Sequence, residues 1–219
     1  MSTERIAIIG SNCFSGANFA AHCLEEEASV LAISRSSEPA DFFLPYKQID
    51  GHFRFQQLDL NHELDEIMHH LDEFQPQYVV NFAAQGMVGQ SWQAPEDWFQ
   101  TNTTANVALH DRLRKTRYLR KYTHISTPEV YGNCSGIVRE HTHYQPSSPY
   151  AVSKAAADMS LESFFRAYNF PVVFTRAANV YGPCQQLYRI IPRTIIYFLT
   201  DRTLSLHGGG TAIRSFIHI

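Results

Sequence analysis

The strongest constraint on this chain is an alternation. Short, mostly apolar runs at 5–9 (RIAII), 30–33 (VLAI), 53–58, 78–82 (YVVNF), 122–125 and 172–175 (VVFT) read as strands. Between them, 15–26, 62–74, 95–115 and 150–168 read as helices. Strands that are apolar throughout, rather than at every second residue, suit a parallel sheet covered on both faces. Repeated β-α-β order implies right-handed crossovers and an α/β, doubly wound parallel sheet. The 219 residues are enough for one sizeable core. After residue 178 the character changes. A helix is expected near 189–199, a short strand at 203–206, then a glycine turn and a closing strand at FIHI.

Composition removes several classes of function. The net charge is -3 with no basic cluster, which argues against nucleic acid as a partner. No apolar run approaches the ~20 residues of a membrane span, and the N-terminus lacks a signal-peptide layout. Cys13, Cys23, Cys134 and Cys184 have no CxxC spacing and read as reduced thiols of a cytoplasmic protein. The pairs His69-His70 and His141-Thr-His143 lack metal-site context, so no metal is expected.

The first strand runs into Gly10-Ser-Asn12-Cys13-Phe14-Ser15-Gly16. A tight strand-to-helix turn needs glycine, and so does close approach of backbone to a pyrophosphate; the helix N-terminus then offers N–H groups to the anion. Gly10 and Gly16 have that spacing, with Cys13 at the middle glycine's place. Residues 1–178 are therefore expected to form a Rossmann-like NAD(P)-binding domain. Residues 179–219 would be the start of a small, truncated C-terminal substrate lobe. An acidic residue ending the second strand would favour NAD. This chain has Ser34, Arg35 and Ser36, groups suited to a 2′-phosphate, so NADP is favoured over NAD. Asp59, followed by Leu60, is placed to accept from the adenine amino group.

Tyr150 and Lys154 form a YxxxK pair on one helix face. An ammonium near a phenol lowers its pKa from about 10 and makes it a usable base. The fifth strand ends in HISTPEVYG, which supplies Ser126, Thr127 and Glu129.

With these motifs in place, the chain resembles the extended short-chain dehydrogenase/reductases that act on nucleotide sugars. IIGSNCFSG, NFAAQGMVGQSW, HISTPEVYG, SPYAVSK, RAANVYGP and HGGGTAIRSFIHI carry the resemblance along the whole length. STPEVYG, PSSPYAVSKAAAD and ANVYGP are most similar to dTDP-glucose 4,6-dehydratases. The AAQ stretch and the SRSS loop look more like the GDP-mannose 4,6-dehydratases, which use NADP. The resemblance implies that Tyr150 takes the proton of the sugar 4-OH, that Lys154 tunes Tyr150 and binds the nicotinamide ribose, and that Thr127 bonds the 4-oxygen. It implies that Ser126 helps hold the site, that Ala83, Ala84 and Gln85 line the cofactor, and that Asn102 supports the packing of the central helix and strand. It also implies that Asn179, Arg189 and Arg214 contact the sugar nucleotide. A homodimer is implied, as is about a third more chain beyond FIHI, which makes this sequence a truncated form.

One departure matters. The dTDP-glucose enzymes place Asp-Glu as acid and base after Ser-Thr; here Pro128 precedes Glu129, and proline donates no proton. Elimination of water then needs another acid or a water molecule. Otherwise the chain is a 4-epimerase, or Glu129 serves another ketone-forming step such as decarboxylation. Glu129 favours dehydration, since epimerisation needs no C5 base. A non-catalytic, cofactor-binding regulator would gain nothing from retaining Thr127, Tyr150 and Lys154 together.

Overall fold

The computed structural model describes residues 4–134, 136–211 and 213–219. Strands β1 (Arg5–Ile9), β2 (Ser29–Ser34), β3 (Phe53–Gln57), β4 (Tyr78–Asn81), β5 (Lys121–Ile125) and β6 (Val172–Thr175) form one sheet in the order β3-β2-β1-β4-β5-β6, every pair parallel. The doubly wound parallel sheet expected from the alternation is the fold. Helix α1 (Phe14–Glu25) packs on one face, where Ile8, Val30 and Ala32 meet Ala17, Ala20 and Leu24. The neighbouring strand residues Ala7, Ile9, Leu31 and Ile33 point the other way. They pack with Ile67 and Leu71 of α2 (Leu64–Phe74), Leu109 of α4 (Asn106–Leu113) and Leu161 of α5 (Pro149–Tyr168). Burial on both faces is why these strands carry no polar alternation.

The helix expected at 95–115 is built in three parts. Helix α3 (Pro95–Phe99) runs into a π-helical turn (Gln100–Ala105) and then into α4. A π turn takes an extra residue into one turn and is frequent at functional sites. Here it turns Asn102 and Asn106 inward, and both are fully buried.

Strand β7 (Asn179–Tyr181) pairs in parallel with β8 (Phe216–His218) in a separate two-stranded sheet, and α6 (Ile190–Leu199) lies between them in sequence. The strand expected at 203–206 is irregular instead. No neighbouring strand is supplied for its Thr-Leu-Ser-Leu alternation, so the pattern stays without a ladder.

Candidate active site

The order reverses between β1 and β4, and ligands of open α/β sheets bind at that switch point, beyond the carboxyl ends of the strands. The glycine loop sits there. Gly10 adopts φ +85°, and a Cβ on it would lie 2.5 Å from the backbone nitrogen of Ala83; one on Gly16 would lie 2.6 Å from the Gly10 carbonyl oxygen. Both positions therefore require glycine. Cys13 caps α1, its Sγ accepting from the Gly16 N–H at 3.3 Å, which leaves the first turn of the helix facing the cleft. Phe14 is buried beneath the loop and Ser15 is half-buried in the first turn.

A cleft of ≈ 240 Å³ opens beside this loop, lined by Gly10, Asn12, Cys13, Ser34, Arg35, Ser36, Asp59, Leu60, Ala83, Ala84 and Gln85 among others. One wall is held by Asn12. Its backbone N–H donates to Ser34 Oγ (2.9 Å), and its side-chain amide donates to the carbonyls of Ser36 and Ser37 (2.9 Å each). Arg35 and Ser36 are exposed at the lip. Asp59 Oδ1 accepts from the Asn61 N–H at 2.8 Å, which fixes its carboxylate at the cleft edge. Asn102 is not part of the lining. Its Oδ1 accepts from the Gln85 N–H (2.8 Å), and its Nδ2 donates to the Gln85 carbonyl and to Ser153 Oγ (3.0 Å each). All its polar atoms are engaged inside the protein, so it clasps the Ala83–Gln85 loop to α5, as the packing role implied. A long cleft that narrows at a glycine-lined helix N-terminus fits a dinucleotide.

The second cluster stands at the carboxyl end of β5. Thr127 starts a 3-10 turn (Pro128–Tyr131), its Oγ1 accepting from the Glu129 N–H at 3.2 Å. Pro128 occupies the first position of that turn, where a missing N–H costs nothing. Ser148 caps α5 by accepting from the Ala151 N–H (3.2 Å), which places Tyr150 in the first turn and Lys154 one turn later. Tyr150 hydrogen-bonds Thr127, and Glu129 and Arg189 are close enough to perturb it. Burial raises the Glu129 carboxyl above the usual range, against the pull of Arg214. Thr127, Glu129, Tyr150, Arg189 and Arg214 thus share one electrostatic neighbourhood. The Asn179 side chain donates to the Ser215 carbonyl at 2.9 Å, tying β7 to the segment before β8.

One expectation is corrected in detail. Tyr150 lies above the ordinary phenol value, because burial outweighs the hydrogen bond from Thr127. The Lys154 ammonium is directed elsewhere, donating to the Ile125 carbonyl at 2.7 Å and standing 3.4 Å from His124 Nε2. Burial lowers Lys154 to about 8, with Asp158 opposing.

Three residues at this end of the sheet were not singled out from the sequence: His124, Asp158 and Arg176. Asp158 is fully buried, accepting from Ser126 Oγ and from Arg176 Nη2 at 2.7 Å each. The signal was present, since Asp158 follows Lys154 by four residues on one helix face in an otherwise alanine-rich stretch.

The structure thus carries a glycine-loop cleft of the kind that holds a dinucleotide and, at the end of β5, a cluster of threonine, tyrosine and lysine. The chain belongs to the NAD dependent epimerase/dehydratase family, whose profile matches residues 6–219. It is 30% identical over 227 residues to a probable dTDP-glucose 4,6-dehydratase of Sinorhizobium fredii, covering 98% of this chain and 64% of that protein. It is 35% identical over 159 residues to the dTDP-glucose 4,6-dehydratase of Xanthomonas campestris, covering 68% of this chain and 45% of that one. The chain therefore spans about two thirds or less of the relatives it matches. Among solved structures, a dTDP-glucose 4,6-dehydratase from Streptomyces venezuelae with NAD bound superposes with a TM-score of 0.85 at 26% identity, covering 98% of this chain and 68% of that one. A UDP-glucuronic acid 4-epimerase from Bacillus cereus, in complex with UDP-glucuronic acid and NAD, gives 0.84 at 26%, covering 98% and 69%.

Proposed function

We propose that this chain supplies the cofactor-binding and catalytic groups of a nucleotide-sugar 4,6-dehydratase. The observation that carries the reading is Glu129, a half-buried carboxylate presented beside Thr127 and Tyr150 on the turn after β5. Held by the Gly10–Gly16 loop and the Ala83–Gln85 segment, a dinucleotide would supply the hydride chemistry needed at C4 and C6. Thr127 holds the 4-oxygen while Tyr150 takes its proton. The resulting ketone acidifies the C5 hydrogen, which Glu129 removes. With proline where an acid would stand, the departing 6-hydroxyl takes its proton from solvent or from the newly protonated Glu129. Arg189 and Arg214 are the cations available to a diphosphate. In this reading residues 1–178 hold the cofactor and 179–219 cover the substrate.

The test is incubation with dTDP-glucose, GDP-mannose and UDP-glucose in turn, read by mass spectrometry. Loss of one water from any of them supports dehydration. An isomer of unchanged mass would replace the reading with 4-epimerisation, a chemistry found in the Bacillus cereus neighbour. Glu129→Gln should lower product formation by about 10²–10⁴-fold while C4 oxidation, followed by absorbance of the reduced cofactor, persists.

The same reading includes NADP rather than NAD, supported by Ser34, Arg35 and Ser36 and by the lack of an acidic residue at the end of β2. The dehydratase and epimerase neighbours carry NAD, so calorimetric titration with each dinucleotide is decisive. Arg35→Ala should weaken NADP by about tenfold or more and leave NAD unchanged. It includes a cytoplasmic location, in keeping with four free cysteines. It also includes a homodimer, supported by the exposed Met159, Phe165 and Tyr168 on α5 and tested by sedimentation.

A further inference from the structure

Behind the Tyr150 and Lys154 pair lies a buried chain of charged and polar groups. Arg176 Nη2 donates to Asp158 Oδ2 at 2.7 Å, and Asp158 Oδ1 lies 3.6 Å from His124 Nε2. The same His124 nitrogen lies 3.4 Å from Lys154 Nζ. His124, Lys154 and Asp158 are each 2% exposed or less. One imidazole nitrogen therefore stands between the ammonium and the carboxylate. It can accept from Lys154 when the ring proton is on Nδ1, while Asp158 Oδ1, at 3.6 Å, acts on the ring by its charge rather than by a hydrogen bond. The ring's second nitrogen, Nδ1, is buried without a hydrogen-bond partner among the described residues, and so is Asp158 Oδ1. A structural ion pair has no need of a half-satisfied histidine, and buried polar groups left short of partners cost free energy.

We propose that Asp158 and His124 are positioning residues for Lys154: the Arg176–Asp158 ion pair, acting through the His124 ring, keeps the lysine cationic and its ammonium at the carboxyl end of β5. This rests on Lys154 having the part in the chemistry given above.

The surroundings support the direction. Lys154 is faced by His110 from α4, His124 from β5 and Asp158 from its own helix; Arg176, after β6, faces Asp158. Both histidines are neutral at physiological pH, since burial first and Lys154 second push them far below the usual imidazole value. Asp158 is thus the group nearby that favours the charged lysine, while burial alone works against it. Arg176 stays charged because Asp158 more than offsets its burial. Its guanidinium is also held among the rings of Tyr131, Tyr144 and Phe174, at 5.2–5.6 Å from their centroids.

The chain has four lysines, Lys47, Lys115, Lys121 and Lys154, so ε-carbon-labelled lysine gives a spectrum simple enough to follow by NMR through a pH titration. Loss of one signal in Lys154→Met assigns it. The wild-type Lys154 signal should titrate near 8, below the ordinary lysine value of about 10.4. Asp158→Asn, which keeps the shape and the bond to Ser126 but removes the charge, should lower that midpoint by about one unit or more. His124→Phe should lower it as well, because the ring no longer solvates the ammonium. A variant that melts earlier with its midpoint unmoved would overturn the proposal and leave a purely structural pair. If Asp158→Asn does not fold, His124→Phe is read by the same two outcomes. No nucleotide sugar enters the titration, so failure of the dehydratase reading and failure of this one are told apart.

Discussion

The cofactor-binding part of this molecule and the segment after residue 178 are held by different means. In β1 and β2, seven residues, Ala7, Ile8, Ile9, Val30, Leu31, Ala32 and Ile33, are 2% exposed or less. Among the described residues 179–219 none is buried, and Phe198 and Leu199 of α6 are 85% and 76% exposed. The first region is stabilised by apolar area removed from water on both faces of the sheet. The second is tied by the short β7–β8 ladder, which contributes little without a hydrophobic face. The glycine loop thus stands on a sheet packed on both faces, whereas the groups proposed to grip the substrate stand on elements with no buried residue among those described.

That contrast can be broken at its strongest point first. Gly10→Val puts a branched side chain at φ +85° and against the Ala83 nitrogen. It should abolish dinucleotide binding by at least ~100-fold and destabilise by on the order of 2–4 kcal/mol, measured by calorimetry and urea unfolding. Leu109→Ala, at a fully buried site, should cost about 2–5 kcal/mol, while Phe198→Ala should stay within about 0.5 kcal/mol; similar losses at both would erase the comparison.

A smaller effect sharpens it. Unfolded, His110 and His124 take up protons below about pH 6.5. Folded, burial keeps both neutral, His110 down to about 3. The unfolded state then binds more protons, so stability is lost as pH falls from about 6.5 toward 5, by up to ~1.4 kcal/mol per pH unit per histidine. Glu129 and Asp158, raised by burial, act in the opposite sense and flatten the slope at the acid end. Urea unfolding at pH 7, 6 and 5 measures it, and His124→Phe should remove about half.

Legibility in the sequence followed the same divide. The central strands β1, β2 and β4 were readable because double-sided burial demands apolar residues; the edge strands β3 and β6 are less buried, and FRFQQ is polar at its second, fourth and fifth places. The glycine loop was readable because sterics leave no alternative at Gly10. Strand β7, three residues of NVY, was too short to carry a period, and the alternation at 203–206 had no partner strand. QTNTTA gave no sign of a π turn, since helix width depends on what the side chains reach and not on propensity. Among the candidate site residues, those on strand ends and helix starts fell where spacing put them. The bond of the Asn179 amide to the Ser215 carbonyl had no signal in the sequence, because it joins residues 36 positions apart.

The π-helical turn at Gln100–Ala105 also limits how this chain can change in length. Successive residues of an α-helix are about 100° apart around the axis, at 3.6 to a turn. Deleting one residue there would restore ordinary winding with the flanking faces still aligned, but it would remove the wide turn that brings both Asn102 and Asn106 inward. Asn102 could then no longer reach both Gln85 and Ser153 while Asn106 also stays buried. At this place the chain can exchange one side chain for another far more readily than it can lose a single link.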